Sequence, residues 1–399
     1  MPALSPENKI GYGCNFFCEE NFNSQGSFSV FFYAIRQKNG KLRQFRFFVF
    51  VPAFLSNCFY PSFALSEPLK NCGFSFIIKN MNGTVLAGTN NIFEVECDDG
   101  VVRSCAIKGK VLKSDTQYYN PLAPGDVVQI EPDEIDSEKG QIISLVPRKN
   151  EFVRWNVKGR CPQLMAANVD YMILVTTPDE PPFRPRFIDR ELCQAEMLGL
   201  NPVIVCNKYD LIENNPDVEE QLRIWEELGY KVMRISAKTG EGITEFTELI
   251  RGKLSAFVGQ SGVGKSSLVN VLDDTCVLKT GSLSKKYGRG NHTTTKGTLN
   301  RLTLNTAYTG GIHGEVASII DTPGIRRFML HGIEANDLHL YFREFKPFVG
   351  KCKFGLDCTH TSEPGCAIKQ AVEEGKITEK RYESWKRIRD QIKDGSWVD

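Results

Sequence analysis

Gly259, Gln260, Ser261, Gly262, Val263, Gly264, Lys265 and Ser266, with Ser267 behind them, have the G-x-x-x-x-G-K-[ST] spacing of a phosphate loop. Glycines let successive backbone N–H groups converge on a β-phosphate, and a following helix adds a favourable dipole. Lys265 would reach the β- and γ-phosphates, and the Ser266 hydroxyl would ligate Mg²⁺. Upstream stand Asn207-Lys208-Tyr209-Asp210 and Ser236-Ala237-Lys238. The Asp210 carboxylate can accept from both N1–H and the exocyclic amine of guanine, a donor pair that adenine lacks. The backbone around Ser236, Ala237 and Lys238 would meet guanine O6. Downstream, Asp321-Thr322-Pro323-Gly324 would hold Mg²⁺ through Asp321 and sense the γ-phosphate through the Gly324 N–H. The base-reading motifs precede the phosphate loop, so the pieces of a GTP site occur in circularly permuted order.

A second group of residues could bind metal. Cys352, Cys358, His360 and Cys366 supply three thiolates and an imidazole within fifteen residues. That set fills a tetrahedral Zn²⁺ site and leaves no position for water, so the expected role is structural.

These groups need a scaffold, and the pattern supplies one. From residue 169 apolar runs alternate with amphipathic stretches: strands at 171–177, 202–206, 232–235, 254–258, 298–304 and 316–320, and helices at 187–198, 218–228, 243–251 and 265–272. This predicts an α/β fold, a parallel sheet with helices on both faces, and each motif follows its proper strand. Between residues 82 and 147 five short strands are punctuated by Asn90-Asn91, Asp98-Asp99-Gly100 and Pro124-Gly125-Asp126, as in a small barrel of the oligonucleotide-binding type. The division is an extension over 1–81, a barrel over 82–150, a permuted GTPase domain over 151–330 and a helical zinc-binding domain over 331–399.

Residues 1–81 are Phe-rich and weakly patterned, and no function follows from them; Met81 is an alternative start. The uncharged stretch 47–65 contains Pro52, Asn57 and Pro61, which argue against a membrane span. Scattered cysteines and an N-terminus interrupted by Glu7, Glu19 and Glu20 suit a reducing cytoplasm. Net charge is only +1, but 279–301 carries Lys279, Lys285, Lys286, Arg289, Lys296 and Arg301 without an acid, a stretch able to meet phosphates.

On these motifs, residues 82–370 resemble the circularly permuted, ribosome small-subunit-dependent GTPases of bacteria and plastids. That family is similar in having Gly-Arg-Gly-x-His-Thr-Thr-Thr in its first switch, here residues 288–295. The resemblance implies that one of Thr293, Thr294 and Thr295, taken as Thr294, closes on Mg²⁺ and the γ-phosphate. It also implies the 30S subunit and its rRNA as partner, a late role in subunit maturation, subunit-stimulated hydrolysis and release. A monomer with one Zn²⁺ and no membrane contact is expected. The other reading is an RNA-binding assembly scaffold with GTP as a structural ligand. Ile325 stands where GTPases usually place a water-orienting Gln, so another group must do that work, and His292 is the candidate general base. Because the chain leaves the GTPase core after 324–329, the zinc segment is tethered to the second switch, and hydrolysis is expected to free it.

Overall fold

The computed structural model describes three N-terminal strands and residues 80–395, apart from residues 90, 110, 111, 113–117, 157, 158, 274, 276–296 and 323–327. The N-terminal unit is an antiparallel sheet of β1 (Cys14–Phe22), β2 (Phe28–Lys38) and β3 (Lys41–Val51), in the order β1-β2-β3.

The second unit begins with a barrel. Strands β4 (Met81–Thr89), β5 (Ile92–Cys97), β6 (Val102–Ile107), β7 (Val127–Pro132) and β8 (Lys139–Leu145) close in the order β4-β5-β6-β8-β7. β5 and β6 alternate exposed and buried positions, the pleat of a sheet wrapped around its own core. Val85, Val95, Cys105, Val128, Ile130 and Ile142 fill that core. Lys139 onward pairs parallel with β6, while the other neighbours run antiparallel. A hairpin of β9 (Glu151–Asn156) and β10 (Cys161–Ala167) follows, which the hydrophobic pattern did not foretell.

The α/β core then runs β11 (Tyr171–Thr176), α1 (Pro185–Leu198), β12 (Pro202–Cys206), α2 (Asp217–Glu227), β13 (Lys231–Arg234), α3 (Ile243–Ile250), β14 (Leu254–Gly259), α4 (Lys265–Leu272), β15 (Thr298–Thr303) and β16 (Val316–Asp321). Sheet order is β13-β12-β11-β14-β16-β15. β12 is buried at every position, as expected where helices cover both faces. Only the edge strand β15 runs antiparallel, hydrogen-bonded to β16.

The sheet separates two apolar cores. Phe187, Ile188 and Leu192 of α1 and Leu222 and Trp225 of α2 pack on one face. Phe246 of α3 and Leu268 and Val269 of α4 pack on the other. The helices after the neighbouring strands β11 and β14 therefore lie on opposite faces, and the crevice beyond those strand ends is where such sheets bind ligands. α1 starts at Pro185 and ends at Gly199 with φ 63°, where a side chain would be strained.

The C-terminal part contains 3₁₀ turns at Leu338–Tyr341 and Arg343–Phe348, helix α5 (Ala367–Glu373) and helix α6 (Glu379–Asp394). The Thr378 side chain accepts from Arg381 N and caps α6. This part is bolted to α1. Arg381, 1% exposed, donates to Asp189 of α1 and, through Nε at 2.6 Å, to Glu344; Ser384 Oγ and Trp225 Nε1 also donate to Asp189. Gln194 of α1 clasps the backbone of His331 from both sides, at 2.8 and 3.1 Å. The segment is thus tied to the core at a helix as well as by its covalent link beyond the second switch. Among the described residues no helix is long and apolar enough to cross a membrane.

Candidate nucleotide site and metal cluster

At the C-terminal ends of β11, β12 and β14 the structure brings the base-reading and phosphate motifs together. A cavity of about 430 Å³ is lined by Asn207, Lys208, Asp210, Ala237, Lys238 and Ser267, among others. Asp210 Oδ1 accepts from Ser236 Oγ at 2.7 Å, and Lys238 Nζ lies 3.7 Å from Oδ2. One oxygen is thereby braced, and the other is left for a base. Lys208 takes a left-handed backbone (φ 55°), and its ammonium donates to Glu180 O across the cavity mouth.

Asn207 has a role that its motif does not announce. Fully buried, it donates through Nδ2 to Val263 O at 2.9 Å and accepts at Oδ1 from Ala237 N at 3.1 Å. One amide ties the phosphate loop to the guanine loop. Gly264 is required beside it, since a Cβ there would lie 2.2 Å from Asn207 Nδ2. Removing the tie strands the buried Val263 carbonyl, at about 1–3 kcal/mol, and the partly buried Ala237 N–H, at less. Asn207→Ala is therefore expected to weaken GTP and GDP binding alike, by about 10- to 100-fold, in titration calorimetry. Loss confined to GTP would point away from this tie.

Lys265, 7% exposed, folds its ammonium back on Gly259 O (2.7 Å) and Gln260 O (3.0 Å). Those carbonyls occupy the donors that phosphates would otherwise take. Burial lowers its pKa, and the nearby carboxylates of Asp321 and Glu191 oppose that shift. Asp321 ends β16 with Oδ1 buried and unpartnered, and burial raises its pKa to about 7. A buried carboxylate oxygen without a donor suits a cation, so this position fits the Mg²⁺ reading. Thr322 Oγ1 anchors the strand end on Phe257 O at 2.6 Å. Ser261 and Gly262 are exposed at the tip of the loop, while Val263 packs inward. Ser266, half-buried, is the second residue of α4, next to Lys265. His292, Thr294 and Gly324, with Thr293, Thr295 and Ile325, lie outside the described residues.

Glu191 escaped the sequence reading altogether. It is fully buried on α1, neither carboxylate oxygen has a partner, and its acidity is suppressed by burial despite the charges of Arg190 and Lys265. No motif surrounds it, so only the fold brings it near Lys265.

The four candidate metal ligands also converge. The ligand atoms of Cys352, Cys358, His360 and Cys366 all lie within 4.8 Å of one another, and all four residues are buried. Cys352 Sγ is 3.8 Å from Cys366 Sγ, and His360 Nδ1 is 3.5 Å from each. Zn–S bonds of about 2.3 Å at tetrahedral angles place sulfurs roughly 3.8 Å apart, so the donor set fits zinc. Burial and the neighbouring His339 lower the His360 pKa to about 4, which keeps the imidazole a neutral donor. Ala367 N donates to Cys352 Sγ at 3.3 Å, and Tyr382 OH holds the His360 carbonyl at 2.8 Å.

The site's partners in sequence are known proteins. The chain is 39% identical over 322 residues to the small ribosomal subunit biogenesis GTPase RsgA of Chlorobaculum parvum, covering 79% of this chain and 99% of that protein. It is 36% identical over 310 residues to its namesake from Borreliella burgdorferi, covering 77% and 95%. The chain belongs to the RsgA GTPase family. The RsgA GTPase family model itself matches residues 145–331. Among solved structures, YjeQ from Thermotoga maritima is similar with a TM-score of 0.58 at 32% identity, over 78% of this chain and 98% of that one. YloQ, a circularly permuted GTPase, is similar with a TM-score of 0.55 at 25% identity, over 81% and 99%. As an RsgA GTPase the chain is a GTP hydrolase, and the motif order and the closed barrel are those the sequence led us to expect.

Proposed function

We propose that this GTPase acts on the small ribosomal subunit late in its maturation, hydrolyses GTP when docked there, and then leaves. The observation that carries this reading is the span of the likeness: relatives named for small-subunit biogenesis align over 95–99% of their length. The likeness thus spans nearly the whole length of those relatives, where fold alone would not justify a functional reading.

In this reading Asp210 selects guanine, and the Ser236–Lys238 loop closes on O6. The backbone of Gly259–Lys265 holds the β-phosphate, and Lys265 leaves its carbonyls for the β- and γ-oxygens. Ser266, Thr294 and Asp321 hold Mg²⁺, which when bound neutralises charge developing on the phosphates. The Gly324 N–H meets the γ-phosphate. Ile325 cannot orient water, so His292 accepts the proton of the attacking water. The four cysteine and histidine ligands hold zinc, which keeps the 352–366 loop in one shape and presents Lys351 and Lys353 toward rRNA phosphates.

GTP turnover with and without purified 30S subunits tests the reading. Stimulation by one or more orders of magnitude is expected, and His292→Ala should remove most of it with nucleotide affinity intact. Absence of stimulation in the wild type would sink the ribosome-dependent enzyme. Full stimulation of His292→Ala would take His292 out of the chemistry.

A further inference from the structure

Besides the nucleotide cavity, the barrel, the 118–124 segment and the β9–β10 hairpin enclose a second cavity of about 300 Å³. Its wall includes Phe93, Tyr119, Asn120, Gln163, Met165 and Gly297. The volume is at the small end of ligand sites, the scale of one planar ring system.

Four features give the cavity chemistry. Tyr119 is 52% exposed, although its backbone is pinned by a 2.8 Å bond from its N–H to Pro162 O. Gly159 backs that ring: a Cβ there would come within 2.7 Å of Tyr119 Cδ2. An aromatic face is thus held open to solvent. Gln163, 5% exposed, accepts from Arg154 Nη2 at 3.3 Å through Oε1, which leaves Nε2 as a donor with no acceptor among the described residues. Asn120 donates to Leu122 O and Leu164 O at 2.7 and 3.0 Å, and its buried Oδ1 has no partner. Arg160, next to Gly159 in the hairpin turn, is exposed and can meet a phosphate.

We propose that this cavity receives one unpaired base of single-stranded RNA, stacked on Tyr119 with a base carbonyl facing Gln163. An aromatic platform, a single amide donor and an outlying guanidinium are what an extruded base with its backbone needs. A base presents a flat face and an edge carbonyl on one rigid ring, so it can use the aromatic face and the amide together. Gly297, in the same wall, is two residues beyond Thr295, and a Cβ on it would lie 3.1 Å from Asp321 O. The base pocket therefore abuts the strand that runs out of the first switch. The inference rests on the reading that RNA is the partner.

The test uses the full chain, fluorescent hexaribonucleotides of A, C, G or U, and purified 30S subunits in parallel. Wild type should bind at least one hexamer; Tyr119→Ala should weaken that complex about 5- to 100-fold. Tyr119→Phe should bind as wild type, because stacking needs no hydroxyl. Gly159→Ala, which pushes the ring aside, should behave like Tyr119→Ala. GTP affinity should not move in any of them. No hexamer binding by the wild type, or equal binding by Tyr119→Ala, would overturn the pocket. If Tyr119→Ala weakened 30S binding but not hexamer binding, the cavity would take a protein side chain instead. Hexamer binding lost in Tyr119→Ala with no 30S binding by the wild type would keep the pocket and remove the proposed ribosomal role.

Discussion

Asp210→Asn is expected to convert the guanine site into a xanthine site. In the structure Ser236 Oγ donates to Asp210 Oδ1 at 2.7 Å. The same bond would fix the amide of an asparagine with its oxygen toward Ser236 and its NH₂ toward the base. Guanine presents an amine there, so two donors would face each other; xanthine presents a carbonyl in place of that amine. A polar site loses on the order of 10⁴-fold against a ligand that leaves its groups unpaired. GTP turnover by the variant should fall by about that factor in kcat/KM, and xanthosine triphosphate should restore most of it. Lys238, 3.7 Å from Oδ2, would lose its ion pair, but its side chain is 82% exposed and the pair contributes little. An unchanged preference for GTP would mean that Asp210 does not read the base.

Arg381→Ala should cost about 3–5 kcal/mol of stability, far more than an ordinary surface substitution. The guanidinium is nearly inaccessible, bridges Asp189 and Glu344, and lies 4.5 Å above the Phe342 ring. Truncation leaves Glu344 buried without its partner, while Asp189 keeps only Trp225 Nε1 and Ser384 Oγ. Arg381→Lys should rescue little, because a point charge cannot reach two carboxylates in fork geometry. Denaturant unfolding and limited proteolysis between α1 and α6 would read the effect; a loss below about 1 kcal/mol would show the bridge to be incidental. The bridge also bears on how hydrolysis could act. A zinc segment expected to swing from the second switch is here held against α1 by buried charge, so release on hydrolysis would have to break that contact or carry α1 along.

The nucleotide motifs were legible because each is a short run whose chemistry needs particular residues at fixed spacing. The barrel strands were legible from turns such as Pro124-Gly125-Asp126 and from alternation along Ile92–Cys97. What remained hidden depends on distant pairs. α6 is rich in charge and reads as a solvated face, yet Arg381 and Arg389 on it are buried. Nothing local marks Asp189 as the partner of a residue 192 positions later. Glu191 sits between Arg190 and Leu192 like any helix acid. Asn207 was recognised as part of a motif, but its grip on Val263 appears only when β12 and β14 are folded into one sheet. The β9–β10 hairpin was missed because its strands pack against other parts of the chain rather than repeating a clear alternation.

The sheet order also has a consequence for synthesis. β11 sits between β12 and β14, but β12 leaves the ribosome about thirty residues after β11, and β14 only after Leu254–Gly259 has been made. For that interval the nascent chain carries a half-built sheet whose apolar β11 edge has no neighbour, the kind of edge that recruits foreign strands. Circular permutation thus decides which half waits at that open seam: the base-reading half exists before the phosphate-binding half is made.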